Sequence, residues 1–451
     1  MAEQDADVLI AGAGSAGTYV AWRLAEKGHR CMVVERDALD SLGAQIGPFH
    51  MEESAFERYG IPPPEGDELL HRIEAMTLVS PGGRRLSFEL PTLCMDKPSF
   101  HRRLHGYARE AGVELVRGEV VGPVLEDGLV RGLEIRLADC ESALRARLVV
   151  DASGIEGAVR PRMPPGPWRE NDPVTPGDTI FVYMETWADV EGALGPGVES
   201  YPRYIGWCAP GPGDTWIVGV GTGGSMDAAR VRHRVLVDSL PFGGRVAGST
   251  GGRIPYRRPP YSLVDDGLAV VGDAACMNKP FSGEGVTSGL AGCAILIEVA
   301  DRALASGEID RKALWAYNAR YFRGQGAKFA YLTASMPALM GISPAELDFL
   351  FEVPGIMSEE AARRMQEEYE VSTSPGDALR ALPHLAGGLL KGRLRPSTVA
   401  RIAGSGMTAG SLRRLYERYP ESPAGFHAWA TRCDRYWMKA NALKHGLFAS
   451  M

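Results

Sequence analysis

The feature that most constrains this chain is a 30-residue run near its start. Asp7-Val-Leu-Ile-Ala11 stops at Gly12-Ala-Gly14-Ser-Ala-Gly17, a helix-like stretch follows to Lys27 with Gly28 as its stop, and Arg30-Cys-Met-Val-Val-Glu35 resumes. The two short apolar runs read as buried parallel strands, and strand, helix and strand at this spacing make a βαβ unit. Each glycine has a separate task. Gly12 permits the tight turn, Gly14 lets backbone N–H groups approach a pyrophosphate, and Gly17 allows helix and strand to pack closely. The phosphates sit at the positive end of the helix that begins near Ser15. Glu35, at the second strand's end, suits a ribose hydroxyl pair and repels a 2′-phosphate. The expected ligand is therefore FAD or NAD.

A second signal far along the chain selects between them. Gly267-Leu-Ala-Val-Val-Gly-Asp273 is a strand ending in Gly-Asp, and Pro280-Phe-Ser-Gly283-Glu-Gly285-Val286-Thr287 follows it. Asp273 can accept from a ribityl hydroxyl. The helix opening over Gly283–Thr287 points its N–H groups at the flavin edge that gathers negative charge on reduction. This predicts FAD.

Between these signals, Ala75–Leu90 reads as a hairpin turning at Gly82-Gly83, and Phe100–Ala111 as a helix. Leu148–Asp151 reads as another buried strand, whose terminal Asp151 caps the next turn. Residues 161–261 alternate strand runs with Pro and Gly turns. Beyond about residue 310 the chain reads as helical, with Ser343-Pro344 and Ser358 as helix starts. The expected fold is α/β: a Rossmann-type FAD-binding domain (1–75, 95–160, 262–320), an inserted, mainly antiparallel β substrate domain (76–94, 161–261) and a helical C-terminal region (321–451).

Composition narrows the partners. A net charge of −7 leaves no basic excess for a nucleic acid. None of the seven cysteines lies three residues from another, so no metal or redox pair is written locally, and reduced thiols in a cytoplasmic protein are expected. The N-terminus lacks signal-peptide character. The apolar stretch Gly285–Ala300 is too short and too charged to span a bilayer, which leaves peripheral membrane contact open.

The combination of GAGSAG (12–17), DASG (Asp151–Gly154) and GDAACMNKPFSGEGVTSG (272–289) resembles the flavoprotein superfamily of para-hydroxybenzoate hydroxylase, flavin halogenases and geranylgeranyl reductases. That resemblance implies FAD contacts at Gly12, Ala13, Gly14, Ser15, Ala16, Gly17, Glu35, Arg36, Gln45, Val121, Gly154, Asp273, Pro280, Gly283, Gly285, Val286 and Thr287. Lys97 stands where the family usually has an arginine. Within the superfamily, Tyr204-Ile-Gly-Trp207-Cys-Ala-Pro210 with Val218-Gly-Val-Gly221 is similar to a stretch of the geranylgeranyl reductase group that lines the cavity beside the flavin. Ala209 replaces the usual Phe, and Tyr204 sits one position off. The resemblance implies reduction of carbon–carbon double bonds in an apolar, isoprenoid-like substrate, with Tyr204, Trp207 and Pro210 as substrate contacts. It covers about residues 5–320. A flavin monooxygenase or halogenase is the alternative, and an electron-transfer flavoprotein a second. No second glycine turn set in a βαβ unit is evident, so the expected reductant is NAD(P)H bound transiently or a protein donor. His50 and Trp207 are the catalytic candidates. Arg257-Arg258 suggests exposed charge, and Trp429, Tyr436 and Trp437 core packing.

Overall fold

The computed structural model describes residues 4–448 except 139, 193–196, 203–204, 241 and 372–374. Two eight-stranded sheets organise the molecule. The first is built on Ala6–Ala11, whose Val8, Leu9 and Ile10 are fully buried. It pairs in parallel with Cys31–Glu35 on one side (Ile10 opposite Val33) and with Glu141–Asp151 on the other (Ile10 opposite Val150). Glu114–Arg117 and Leu268–Val270 extend it in parallel outward. A strand buried on both faces has to be apolar throughout, which is why these runs do not alternate.

The second sheet is mostly antiparallel. Its order begins with Phe242–Pro255, Thr179–Gly192, Trp216–Thr222 and Gly206–Pro210. It continues through Val198–Tyr201, Leu69–Val79, Arg85–Met95 and Phe49–Glu52. The hairpin at 80–84 falls where Gly82-Gly83 placed it. Domain limits at 75/76 and 94/95 cut through two of these strands, and Phe49–Glu52 also belongs here. The sheet runs past those limits because hydrogen-bond pairing, rather than the apolar pattern, fixes where a strand ends.

The C-terminal region is helical. Ser343 caps Pro344–Glu352 through a reciprocal capping box with Glu346, and Ser358 caps Glu359–Glu367. Helices Arg311–Tyr321 and Ala327–Met340 are joined by a wide turn, Phe322–Gly326, with Gly324 outside helical geometry. Trp429 (1% exposed) packs edge-on to Tyr419, and Phe322 stacks on the same ring at 4.8 Å. The indole N–H of Trp437 donates to the Tyr416 hydroxyl at 3.1 Å, and Tyr436 packs against the same core. These aromatics are core, as their pattern indicated.

Candidate active site

The backbone of the glycine turn leaves little choice of residue. Gly12 has φ +100°, and a Cβ there would stand 2.5 Å from the Ala152 carbonyl oxygen. A Cβ on Gly17 would meet the Gly12 carbonyl oxygen at 2.0 Å. Above Gly14 the space is open, so a phosphate can approach. Glu35 accepts the Ala13 N–H at 2.8 Å and the Asp37 N–H at 2.9 Å, tying the turn to the second strand. Two histidines one helical turn apart on Lys97–Glu110 brace the turn from outside. His101 Nε2 lies 2.8 Å from the Ser15 hydroxyl, and His105 Nε2 lies 2.8 Å from the Ala13 carbonyl. Burial, reinforced by the nearby Lys97 charge, lowers His101 to about 3.

Gly14, Ser15 and Ala16 line one end of a cavity of about 2100 Å³. Lys97, Gly154, Asp273, Pro280, Gly283, Gly285 and Val286 line it too, so the two distant glycine-bearing segments meet. Asp273 follows the strand end and accepts from the Asn278 amide at 3.1 Å. Burial pushes its carboxyl up, against the opposing pull of Lys97, and burial pushes Lys97 down. Gly285 is the N-cap of the long helix Val286–Ser306, whose first turn opens into the cavity.

Other expected contacts stand off the cavity wall. Thr287 is buried and donates to Glu52 Oε2 at 2.8 Å. Arg36 is exposed beside Asp37, and Val121 lies half-buried in Glu119–Glu126. The Gln45 carbonyl accepts from the Thr250 hydroxyl. Lys97 lies in the first turn of its helix rather than before it. Tyr204 lies outside the described residues.

Trp207 lines the cavity, and its ring packs against Gly219, where a Cβ would meet Cζ2 at 2.3 Å. That close approach explains the glycine in Val218-Gly-Val-Gly221. Pro210 corrects the expectation of a substrate contact. It ends its strand opposite Trp216 and does not reach the cavity. His50 does line it, half-buried, with Nε2 shielded from solvent and unpartnered. Burial lowers His50 to about 4, so it is a neutral ring at neutral pH and not a charged acid. Arg257-Arg258 is not simple surface charge. Arg258 is paired with Glu170 at 2.5 Å and lies over the Tyr261 ring. Asp151 does cap its turn, taking the Arg160 N–H at 2.8 Å and the Val159 N–H at 3.2 Å.

Sequence reasoning missed a buried ionic knot beside the flavin segment. Lys279, with no exposure, pairs with Glu52 and with Glu284 (2.7 Å) and lies 5.4 Å from the Tyr369 ring centroid. Burial alone would raise the Glu52 carboxyl; the Lys279 charge and its hydrogen bonds outweigh that and hold it low. No local signal in the sequence joins residues 227 positions apart.

These residues fit FAD. An open glycine turn, an acidic strand end and a helix N-terminus face one cavity, and the buried Nε2 of His50 and Oδ1 of Asn278 are left without partners in its wall. Among the described residues no His, Cys, Asp or Glu cluster could hold a metal ion.

Comparison with known proteins agrees. Residues 7–160 match the family described as FAD dependent oxidoreductase. A digeranylgeranylglycerophospholipid reductase of Sulfolobus acidocaldarius is 25% identical over 98% of this chain and 99% of its own length. The likeness therefore continues past residue 320, through the C-terminal helices. The reductase of that name from Methanosphaerula palustris is 28% identical over 70% of this chain and 81% of its own. Among solved structures, a geranylgeranyl bacteriochlorophyll reductase-like protein of Thermoplasma acidophilum shares the fold, with a TM-score of 0.70 at 18% identity over 86% of this chain and 98% of that one. Glycine turn, cavity and these likenesses together identify the chain as an FAD-dependent oxidoreductase, similar over most of its length to reductases of the geranylgeranyl group.

Proposed function

We propose that this enzyme reduces carbon–carbon double bonds of an apolar, isoprenoid-like substrate. One observation carries the reading: the cavity lined by the glycine turn also has an apolar arm lined by the C-terminal helices. Met336, Leu339, Met340, Leu350, Phe351 and Met365 line that arm from the C-terminal helices. Its volume exceeds the roughly 300–1,000 Å³ of an ordinary ligand pocket, which leaves room for a dinucleotide and a long chain together. Flexible methionine walls suit a substrate without fixed polar groups. The activity named for the reductases of Sulfolobus acidocaldarius and Methanosphaerula palustris supports the same class.

Bound here, FAD supplies hydride transfer from its reduced ring. The chain's own residues position and insulate. Gly12–Gly17 and the helix from Ser15 hold the pyrophosphate, with Glu35 toward the ribose and Asp273 toward the ribityl chain. The N-terminus of Val286–Ser306 stabilises negative charge at the ring. Trp207 and neutral His50, both in the cavity wall, would bound the space that ring and substrate share, and the apolar arm would exclude water from the reacting bond. The electron donor is NAD(P)H bound transiently or a protein. Six buried free thiols suit a reducing, cytoplasmic setting.

Anaerobic mixing of the dithionite-reduced enzyme with a polyprenyl substrate tests this. Flavin absorbance returns, and the product gains two mass units per bond reduced. Flavin that stays reduced with every alkene offered, or a product that forms only with oxygen, overturns it.

A further inference from the structure

Exposed apolar side chains are unevenly placed on this molecule. Of the fourteen large ones among the described residues, eight fall between Leu339 and Met407. Helix Pro375–Leu390 turns Ala381 inward against Phe349 and Val353, with Leu385 packed beside them. Its outer side carries Leu379 (70% exposed), Leu382 (59%) and Leu390 (89%), at spacings that repeat along one face. The next helix, Pro396–Tyr416, repeats the arrangement. Ser405, Ala409 and Leu412 face inward, while Val399 and Met407 are exposed.

A second observation is independent of burial. From Ala378 to Tyr416 the sequence holds no Asp or Glu in 39 residues and seven Lys or Arg, in a chain of net charge −7. Arg393 and Arg395, in the turn between the helices, pair with Glu352 and Glu346 of helix Pro344–Glu352, and Arg380 and Arg413 pair with Asp377 and Glu370, whereas Lys391 makes no ion pair among the described residues. The second of the two outer helices, Pro396–Tyr416, backs the apolar arm. Ile402 lines the cavity, and Arg401 donates to the Gly341 carbonyl at 2.6 Å, beside Leu339. Leu339 and Val371 both line the cavity and are exposed, so the arm reaches the surface through apolar side chains in this region.

We infer that the outer face of Pro375–Leu390 and Pro396–Tyr416 docks on an anionic lipid bilayer. An apolar stripe in a stretch that carries seven basic residues and no acid between Asp377 and Glu417 suits the interface between acyl chains and anionic headgroups. A second copy of this chain is a poorer occupant, because a two-fold contact would set each basic turn against its own like. No helix among the described residues is long and apolar enough to cross a membrane, so contact is by the face alone. That the docked enzyme draws its substrate from the bilayer rests on the function proposed above; the docking does not.

Co-sedimentation of the FAD-loaded full chain with 1:1 phosphatidylglycerol–phosphatidylcholine vesicles, free of isoprenoids, tests the docking. The enzyme pellets with the vesicles, and the double variant Leu382→Asp/Leu390→Asp reduces the bound fraction at least tenfold. Val246→Asp, an exposed apolar position elsewhere, leaves it unchanged. The double variant keeps its flavin and its activity on a detergent-dispersed substrate. A wild-type chain that stays in the supernatant, or a double variant that pellets equally, overturns the inference. So does sedimentation velocity showing that the substitutions break a dimer while vesicle binding persists. Binding that obeys these expectations while no alkene is reduced upholds the docking and sinks only the substrate reading.

Discussion

The two ends of the cavity are built on different principles. At the glycine end, backbone meets backbone. Cβ atoms on Gly12 and Gly17 would overlap carbonyl oxygens, and the neighbouring carboxylates and histidines are locked by hydrogen bonds. At the apolar end, methionine and leucine side chains from separate helices define a volume and little else. A rigid end suits an invariant cofactor, and a plastic end suits a substrate class that varies in length. Substitution should therefore act all-or-none at the first and by degrees at the second.

The largest effect is expected at Gly17. Gly17→Val drives a side chain into the Gly12 carbonyl, and we expect a chain that purifies colourless and is destabilised by on the order of 3 kcal/mol or more. Gly14→Ala is the control that sharpens the contrast. Its Cβ meets nothing, so the melting temperature without flavin stays put while flavin affinity falls, as read by fluorescence titration. Next comes the ionic knot. Lys279→Met leaves Glu52 and Glu284 without their buried cation and should cost about 3–5 kcal/mol in urea unfolding. The low Glu52 carboxyl also gives the native protein stability that is present above about pH 4.3 and lost as pH falls through its folded value; Glu52→Gln removes that dependence.

His50 contributes a smaller effect, confined to a pH window. Its folded value of about 4 lies below the unfolded ~6.5, so the unfolded chain takes up the proton first as pH falls. Stability should drop between those values by up to about 1.4 kcal/mol per pH unit for this group. His50→Phe flattens the slope by about one proton. The smallest effect belongs to the apolar arm, where Met365→Leu should change stability by less than about 1.5 kcal/mol and shift only the preferred substrate length. A Met365→Leu that abolished activity would break the comparison.

The same contrast decides what could be read in the sequence. The parallel strands at 6–11, 31–35 and 268–270 were legible because burial on both faces forces uninterrupted apolar runs. The glycine turn was legible because sterics admit no substitute. Strand Phe242–Pro255 was not, since it carries five glycines, is exposed along most of its length, and is held by pairing to Thr179–Gly192 rather than by burial. Helix Met226–Val237 escaped for a similar reason, with Val231 and Val235 outward. The His101–His105 pair carried a usable signal, two imidazoles four apart on a helix. Lys279 carried none, because the pairing with Glu52 that completes its burial comes from a segment 227 positions away.

The parallel sheet has a consequence for how the protein is made. Its central strand, Ala6–Ala11, is flanked by a strand from 31–35 and by another from 141–151, and that one is completed only by Leu268–Val270. A ribosome has to deliver more than half the chain before the nucleotide-binding layer closes. Until then the glycine turn hangs from a partial sheet with an open edge, and the yellow colour of the enzyme should appear late in its synthesis.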